Sequence, residues 1–352
     1  MTAHPRVLAR ATSRGPDEAF RRLPVTQVIR ETVDTVSLVL DTSAAPGGAF
    51  AYRAGQFLTV RVAIDGGVHQ RCYSMSSAPT LDRDLQVTVK RERGGLVSNW
   101  LHDNITGGSE IDVAGPGGVF VLNSPEDREI CAFAGGSGIT PVFSIVRSAL
   151  ATSTRPIRLL YANRDRDSVI FANRLDELLD AYPGRLVVEH HLDSDGGVVD
   201  AAEVRNFVRG VADAEYFVCG PGPFMDTVEA ALLTTGVDPE RLRLERFVTL
   251  TVSAAGAGTA PGTETVIIKL NGRTTTVDYR EGSTLLQVGR AAGIRPPSQC
   301  ETGSCATCIA RLVDGAVTMM NNDVLTQDEV DDGWILTCQS IPTTRSIRVD
   351  YE

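Results

Sequence analysis

The sequence is poor in histidine and has no excess of positive charge, and each absence excludes a class of function. Its 352 residues include only five histidines, and none forms a Cys-x-His pair or a His-x-x-Glu-His cluster. Rieske, mononuclear iron and di-iron oxygen sites draw on histidine ligands of this kind, so oxygen chemistry would need a separate protein. The formal net charge is −10, whereas a nucleic-acid-binding protein needs a basic face.

Long apolar runs and targeting signals are also missing. No segment approaches the roughly 20 apolar residues that cross a bilayer, and runs such as 130–134 have the length of a buried strand. The N-terminal stretch has five arginines up to Arg22 but no apolar core or small-residue cleavage site, so no secretory signal is predicted. We expect a cytoplasmic monomer without a membrane span. Residues 1–24 are expected to be a disordered tail, with a docking arm as the alternative.

The chain divides into three predicted domains with different sequence patterns. Residues 25–124 contain short β-rich runs broken by Gly and Pro, which indicates an antiparallel barrel or sandwich. In residues 125–247, apolar strands alternate with glycine turns and helices, a pattern typical of a parallel sheet covered by helices. Residues 248–264 have few large apolar side chains and are expected to be a flexible linker to residues 265–352.

The sequence has seven cysteines, and four of them lie in the third predicted domain. These four are Cys300, Cys305, Cys308 and Cys338. Their spacing, C-x4-C-x2-C followed by a distant cysteine, is that of a plant-type 2Fe-2S ferredoxin. A structural zinc is the alternative, but zinc sites usually pair two C-x2-C knuckles, and no histidine lies near Cys338. We therefore predict that the four cysteines bind a 2Fe-2S cluster.

The third domain as a whole resembles a β-grasp ferredoxin. The resemblance includes a first hairpin at 266–270 and 274–277 and a helix at 284–292. One departure is Glu301, at a position where many plant-type loops carry Arg.

The segment Arg71-Cys72-Tyr73-Ser74 resembles the R-x-Y-S motif of the ferredoxin-reductase superfamily. The resemblance implies that Arg71 meets a flavin phosphate, for which a guanidinium is well suited. It also implies that Tyr73 packs on the isoalloxazine ring and that Ser74 lies near flavin N5. The alternative is that Arg71 and Tyr73 are a surface pair on a strand.

A second phosphate site is predicted downstream, where Gly94 and Gly95 open a helix whose N-cap is expected to be Ser98. Amides at a helix start can bind a pyrophosphate, which FAD has and FMN lacks, so FAD is predicted. The expected flavin contacts in this region are Thr88, Val89, Lys90, Gly95, Leu96, Val97 and Ser98.

A glycine turn at 134–141 follows a buried strand, and a helix is predicted to start at Pro141. Such a turn suits the pyrophosphate of a dinucleotide coenzyme, although the strict G-x-G-x-x-G order is missing. Expected coenzyme contacts are Gly136, Thr140 and Pro141.

The segment 219–225 resembles the C-G-P-x-x-M signature of the same superfamily, in which the cysteine lies near the nicotinamide. A buried cysteine before a tight turn is the alternative. In relatives, an acidic residue and a terminal aromatic residue at the positions of Glu245 and Phe247 help to bind nicotinamide and shield the flavin. The resemblance thus implies the catalytic residues Ser74, Cys219 and Glu245, and it implies coenzyme contacts by Cys219, Gly220, Pro221, Met225 and Phe247.

The choice between NADH and NADPH depends on the segment after the strand that ends at Tyr161. It mixes cations such as Arg164, which could hold a 2'-phosphate, with acids that would repel one. Residues 161–165 resemble the NADH-using ketosteroid hydroxylase reductases, while the similar phenylacetyl-CoA epoxygenase reductases use NADPH. We predict NADH with a contact from Arg164, and NADPH is the alternative.

The domain order and the segment 333–340 resemble the reductase components of bacterial oxygenases. The resemblance implies an enzyme that passes electrons from NADH to FAD, to the 2Fe-2S cluster and on to a separate terminal oxygenase, expected to be a Rieske-type hydroxylase. One alternative partner is a di-iron monooxygenase or desaturase. A different alternative is a redox-sensing regulator with little turnover.

Overall fold

The computed structural model describes residues 20–122, 128–211, 213–247, 264–298, 301, 303, 305–322 and 324–351. From Arg21 onward, these residues fall into two compact units, one within 21–251 and one within 252–352. The first unit contains both of the N-terminal domains predicted from the sequence, and the second contains the predicted ferredoxin domain. Among the described helices, none has both the length and the apolar character needed to span a membrane.

The first domain is an antiparallel β-barrel, which confirms that prediction. Its elements are β1 (Arg21–Thr32), β2 (Thr35–Leu40), β3 (Phe57–Ile64), β4 (Gly67–Ser74), β5 (Leu85–Lys90), α1 (Leu96–Asn104) and β6 (Glu110–Gly117). The strand order is β4-β3-β6-β1-β2-β5, and an antiparallel bridge between Met75 and Val87 links the two edges. Inward side chains such as Leu38, Leu58 and Val60 are fully buried, because alternate residues of a strand point into the barrel.

The barrel begins earlier than the sequence indicates. Strand β1 starts at Arg21, within the stretch 1–24 that is expected from the sequence to be a tail. Leu23 is buried in the barrel core, and Arg22 donates from Nε to Asp112 Oδ1 on β6 at 2.9 Å. One of the five arginines of this stretch therefore pairs with a neighbouring strand.

The second domain is a five-stranded parallel sheet with helices around it, as predicted. Its strands are β7 (Glu129–Gly135), β8 (Ile157–Asn163), β9 (Leu186–Leu192), β10 (Ala214–Gly220) and β11 (Leu242–Arg246). Its helices are α2 (Ile139–Thr152), α3 (Ala172–Ala181), α4 (Asp193–Gly196), α5 (Ala201–Phe207) and α6 (Gly222–Thr234). The order β11-β10-β7-β8-β9 brings the carboxyl ends of all five strands to one edge, where ligands of open α/β sheets bind.

Helix α2 starts at Ile139, not at Pro141 as predicted. A 3-10 turn at Gly136–Gly138 leads directly into it. Proline is favoured in the first turn of a helix and does not mark its first residue, because no intrahelical acceptor awaits the amides there.

The barrel and the parallel sheet share a buried interface. Phe120 of the barrel domain belongs to the core of the second domain. Ser144 on α2 donates from Oγ to the carbonyl oxygen of Ser77 at 2.5 Å, and Arg147 donates from Nη2 to Asp82 Oδ1 at 2.9 Å. This packing explains why the two domains form one compact unit.

The third domain has the β-grasp architecture predicted from the sequence. Its elements are β12 (Thr265–Leu270), β13 (Arg273–Asp278), α7 (Leu285–Ala291), β14 (Ile309–Asp314), β15 (Val317–Met319), α8 (Gln327–Asp331), β16 (Trp334–Leu336), β17 (Ser340–Pro342) and β18 (Ser346–Tyr351). The main sheet has the order β13-β12-β18-β14-β16, with β12 and β18 parallel. Thr284 caps α7 by accepting a hydrogen bond from the Gln287 amide, and Leu285 and Val288 pack into the core of the sheet.

Candidate functional site

The three residues predicted to be catalytic lie at one junction between the barrel and the parallel sheet. Ser74 ends β4, and its Oγ donates to Glu245 Oε2 at 3.1 Å. Both residues are buried. Glu245 lies on β11 directly beside Cys219 on β10, which is also buried. The structure therefore brings together a hydroxyl, a carboxylate and a thiol that are far apart in sequence.

Arg71 and Tyr73 lie two residues apart on β4 and share one face of the strand. Tyr73 packs against the barrel core, and burial raises the pKa of its hydroxyl well above the usual value. Arg71 is exposed, and its Nη1 donates to the Gln70 carbonyl oxygen at 2.7 Å. Cys72 is on the opposite face, with its sulfur 3.6 Å from Thr59 Oγ1.

Strand β5 presents its predicted flavin residues in three different ways. Thr88 Oγ1 lies 2.7 Å from the hydroxyl oxygens of both Ser76 and Ser37, so its side chain belongs to a buried hydroxyl network. The Val89 side chain is in the barrel core, so any cofactor contact by Val89 would come from its backbone. Lys90 Nζ lies 3.8 Å from the position that a Cβ would take on Gly136, which places this lysine at the glycine turn of the second domain.

The prediction that Ser98 is the N-cap of α1 is wrong. Gly95 is the N-cap, and Ser98 Oγ instead accepts a hydrogen bond from the Glu92 amide at 3.1 Å. A Cβ on Gly95 would lie 2.7 Å from Ser98 Oγ and 2.8 Å from Glu92 Cβ, so both side chains pack closely against this glycine. Leu96 is exposed and Val97 is buried, so Val97 could reach a cofactor only through its backbone.

The glycine turn after β7 packs against the end of β10. A Cβ on Gly138 would lie 2.1 Å from the carbonyl oxygen of Cys219, and one on Gly220 would lie 3.0 Å from Gly135 Cα. Gly136 has a φ of 51°, and its carbonyl oxygen accepts a hydrogen bond from the Tyr161 hydroxyl at 3.2 Å. The packing of the two strand ends therefore depends on glycine at these positions.

The remaining predicted coenzyme residues differ in exposure. Thr140 Oγ1 donates to the Ser137 carbonyl oxygen at 3.0 Å, and Pro141 is buried in α2. Pro221 is the N-cap of α6, and Met225 lies in the hydrophobic core beneath it. Phe247 is 45% exposed.

Two of the predicted cluster ligands meet in the third domain. Cys308 and Cys338 are buried, and their sulfurs are 3.2 Å apart. Cys305 is half-buried, with its sulfur 3.2 Å from Thr307 Oγ1. Cys300 lies outside the described residues, and within the described part of the third domain no group of three or more potential metal ligands is assembled.

Comparison with protein families assigns each domain. Residues 22–122 match the oxidoreductase FAD-binding domain, residues 133–230 the oxidoreductase NAD-binding domain, and residues 268–343 the 2Fe-2S iron-sulfur cluster binding domain. The predictions of FAD, a nicotinamide coenzyme and a 2Fe-2S cluster are thereby confirmed.

Comparison with whole proteins decides the family. The ferredoxin reductase component of 3-ketosteroid-9-alpha-monooxygenase from Rhodococcus rhodochrous is 40% identical over 341 residues, covering 94% of this chain and 96% of the relative. The chain belongs to the family of oxygenase reductase components. One subunit of the 1,2-phenylacetyl-CoA epoxidase of Escherichia coli K12 is 31% identical, with 95% and 98% covered. Phthalate dioxygenase reductase has a TM-score of 0.64 and 27% identity over 95% of this chain and 99% of that one.

This reductase has residues that fit FAD, the nicotinamide coenzyme and the 2Fe-2S cluster. The amides of Leu96–Ser98 lie in the first turn of α1, where no intrahelical acceptor exists, so they suit the pyrophosphate of FAD. The turn at Gly136–Gly138 similarly opens α2 beside Lys90 for a coenzyme. The paired sulfurs of Cys308 and Cys338 suit iron.

Gln339 is a residue of the cluster region to which the sequence assigned no role. It is fully buried, and its Nε2 donates to the Glu301 carbonyl oxygen at 2.6 Å and lies 3.8 Å from Cys338 Sγ. The Glu301 side chain is held by Arg290, whose Nη2 donates to Oε1 at 2.6 Å. Donors near ligand sulfurs tune iron–sulfur clusters. The available signal was an amide side chain directly after the last cysteine, in the turn between β16 and β17.

Replacing Gly138 by alanine is expected to destabilise the reductase by about 2 kcal/mol or more, because the added methyl would overlap the Cys219 carbonyl and backbone cannot move aside as a side chain can. The measurements are the melting temperature, the affinity for flavin and the affinity for the coenzyme. Gly222→Ala is the matched control, because nothing lies within 4 Å of that Cβ and alanine favours a helix start at α6. Equal melting temperatures for the two variants would contradict the packing role.

Proposed function

We propose that this reductase oxidises NADH and delivers the electrons to a separate Rieske-type terminal oxygenase. The observation that carries the proposal is the buried contact between Ser74 and Glu245, with Cys219 on the adjacent strand. This contact lies at the junction of an FAD-binding and an NAD-binding domain, where hydride transfer between the two bound groups would occur. The relative at 40% identity is named as the reductase component of a monooxygenase acting at the 9-alpha position of a 3-ketosteroid, which supports a hydroxylase partner.

The redox chemistry would come from the groups that these domains hold: two-electron exchange and single-electron release at FAD, and one-electron transfer at a 2Fe-2S cluster. The protein supplies the arrangement. Ser74 and Glu245 orient the reacting partners from opposite domains and exclude water, since both are buried. Cys219, at the carboxyl end of β10, lies where the nicotinamide would enter.

The predicted binding residues complete the proposal. Arg71 with the start of α1 holds the FAD phosphates, and the turn at Gly136 with Arg164 holds the coenzyme. Cys300, Cys305, Cys308 and Cys338 are the cluster ligands. We further propose that the protein works as a cytoplasmic monomer, with its docking partner supplying the oxygen-activating metal.

The test is turnover with purified partners. We expect NADH oxidation to be coupled to product formation when the holoenzyme is mixed with the oxygenase component of a Rieske 3-ketosteroid hydroxylase, and expect less with the oxygenase of a di-iron epoxidase. Cytochrome c serves as a partner-independent acceptor. Product formation with the di-iron oxygenase but not with the Rieske oxygenase would identify a di-iron enzyme as the partner. Absence of any NAD(P)H oxidation would favour a redox sensor.

The flavin identity is tested separately. Heat release of the bound flavin followed by chromatography should yield FAD. Recovery of FMN would contradict the role assigned to the start of α1.

A further inference from the structure

A carboxylate on the barrel domain reaches the coenzyme region of the other domain. Asp34 lies in the turn between β1 and β2, and its Oδ2 is 3.1 Å from Arg164 Nη2 and 3.9 Å from Lys90 Nζ. Its Oδ1 accepts hydrogen bonds from Thr32 Oγ1 at 2.8 Å and from Thr35 Oγ1 at 3.2 Å. Both oxygens therefore have partners, and the turn holds the carboxylate in place.

Asp34 carries a negative charge at neutral pH. Burial raises the pKa of this carboxyl, but the hydrogen bonds from Thr32 and Thr35 and the charges of Lys90 and Arg164 together hold the pKa below its usual value. Lys90 and Arg164 are thus partly neutralised by a fixed anion before any coenzyme arrives.

The two cations lie where a coenzyme phosphate would bind. Lys90 faces the glycine turn at Gly136, and Arg164 follows the carboxyl end of β8, next to the strand that carries this turn. In dinucleotide-binding domains, a cation near the ribose accommodates the 2'-phosphate of NADPH. The Arg164 side chain is 64% exposed, so its outer face remains open to a ligand.

Asp165 follows Arg164 directly and its charge also acts on Lys90, but its hydrogen bonds are local. Its Oδ1 accepts a hydrogen bond from the Ser168 amide at 2.9 Å and caps the short turn at Arg166–Ser168. Asp34 is the acid whose oxygen faces both Lys90 and Arg164.

We propose that Asp34 is a coenzyme-specificity residue, supplied by the flavin domain, that disfavours the 2'-phosphate of NADPH. A 2'-phosphate carries a charge of about −1.5 to −2 and would have to approach Arg164 beside a fixed carboxylate. NADH has a neutral hydroxyl at that position and meets no such repulsion. Selectivity of this kind comes from a repulsive element against the wrong ligand. The inference rests on the proposed function, because it assumes that the coenzyme binds at Gly136 and Arg164.

The test compares the binding of ADP-ribose and 2'-phospho-ADP-ribose to the oxidised holoenzyme by calorimetry at low salt. Asp34→Asn removes the charge and keeps an acceptor for Thr32 and Thr35. We expect it to tighten binding of the 2'-phosphorylated ligand by about tenfold and to change ADP-ribose binding by about twofold or less. Asp65→Asn, in the exposed turn between β3 and β4, makes the same change in net charge. It should leave the ratio of the two dissociation constants, for ADP-ribose and 2'-phospho-ADP-ribose, as it is in the wild type.

The outcomes separate the inference from the proposed function. Suppose that the wild type binds ADP-ribose, but that Asp34→Asn leaves the ratio of the two affinities unchanged or weakens the binding of both ligands equally. The specificity role is then wrong, while the coenzyme site stands. If the wild type binds neither ligand, the proposed coenzyme site itself fails. Melting temperature and flavin content verify that the variant is folded, and Asp34→Ser, which also removes the charge, replaces a variant that does not fold.

Discussion

Replacing Cys308 by serine is expected to abolish the iron–sulfur cluster and with it electron delivery to cytochrome c or an oxygenase. Cys308 is buried, with its sulfur 3.2 Å from that of Cys338. A serine hydroxyl is a poor iron ligand, and at this buried position it has no room to rearrange. We expect acceptor reduction to fall by more than about hundredfold, because the 2Fe-2S cluster needs all of its thiolates. The measurements are iron content, the EPR signal of the reduced protein and steady-state cytochrome c reduction.

Reduction of the flavin by NADH should survive in the same variant. The four predicted cluster ligands belong to the unit within residues 252–352, whereas the Ser74 and Glu245 pair belongs to the other unit. Cys72→Ser is the matched control, because Cys72 lies on the barrel, with its sulfur 3.6 Å from the Thr59 hydroxyl oxygen. Full iron content in Cys308→Ser would show that this cysteine is not a ligand. Loss of iron in Cys72→Ser would show that iron loss is not specific to the predicted ligands.

Replacing Ser74 by alanine or Glu245 by glutamine is expected to slow flavin reduction by NADH by about hundredfold. Both groups are buried at the junction of the two nucleotide-binding domains and share a 3.1 Å hydrogen bond. A small displacement of reacting partners in such a site is enough for a loss of this size. Anaerobic stopped-flow spectroscopy at saturating NADH measures the rate.

The double variant provides a sharper test of the same contact. Because the two side chains form one hydrogen bond, their effects should be less than additive. Glu229→Gln is the control, since this carboxylate on α6 pairs with Arg246, the neighbour of Glu245, at 2.7 Å but remains partly exposed. Unchanged reduction in Glu245→Gln with full FAD content would remove this residue from the proposed catalytic set.

Features carried by neighbouring residues could be predicted from the sequence. The spacing of Cys305 and Cys308, the glycine turn near Gly136 and the motif at Ser74 are short segments, so their chemistry is visible before folding. Strand and helix periodicities similarly indicated a barrel, a parallel sheet and a β-grasp domain, and the fold and the cofactors are confirmed. The other domain boundaries and the roles of individual site residues stay predictions.

The errors at element ends have local physical causes. The sequence predicts that α2 starts at Pro141 and that Ser98 is the N-cap of α1, whereas the structure has Ile139 and Gly95. Gly95 is itself a favoured N-cap residue, and α1 starts directly after it, which leaves Ser98 inside the first turn. Strand β1 begins at Arg21 because pairing with β6 extends it.

By itself, the sequence determined the three cofactor-binding domains, their order and the chemical groups available to each. Only the tertiary structure decided which of those groups meet. Asp34 and Arg164 are 130 residues apart, and Ser74 and Glu245 are 171 residues apart, so no local pattern links them. They meet because buried contacts such as Phe120 in the core of the second domain fix the barrel against the parallel sheet. Packing between domains, which no single segment encodes, therefore sets the geometry of the site.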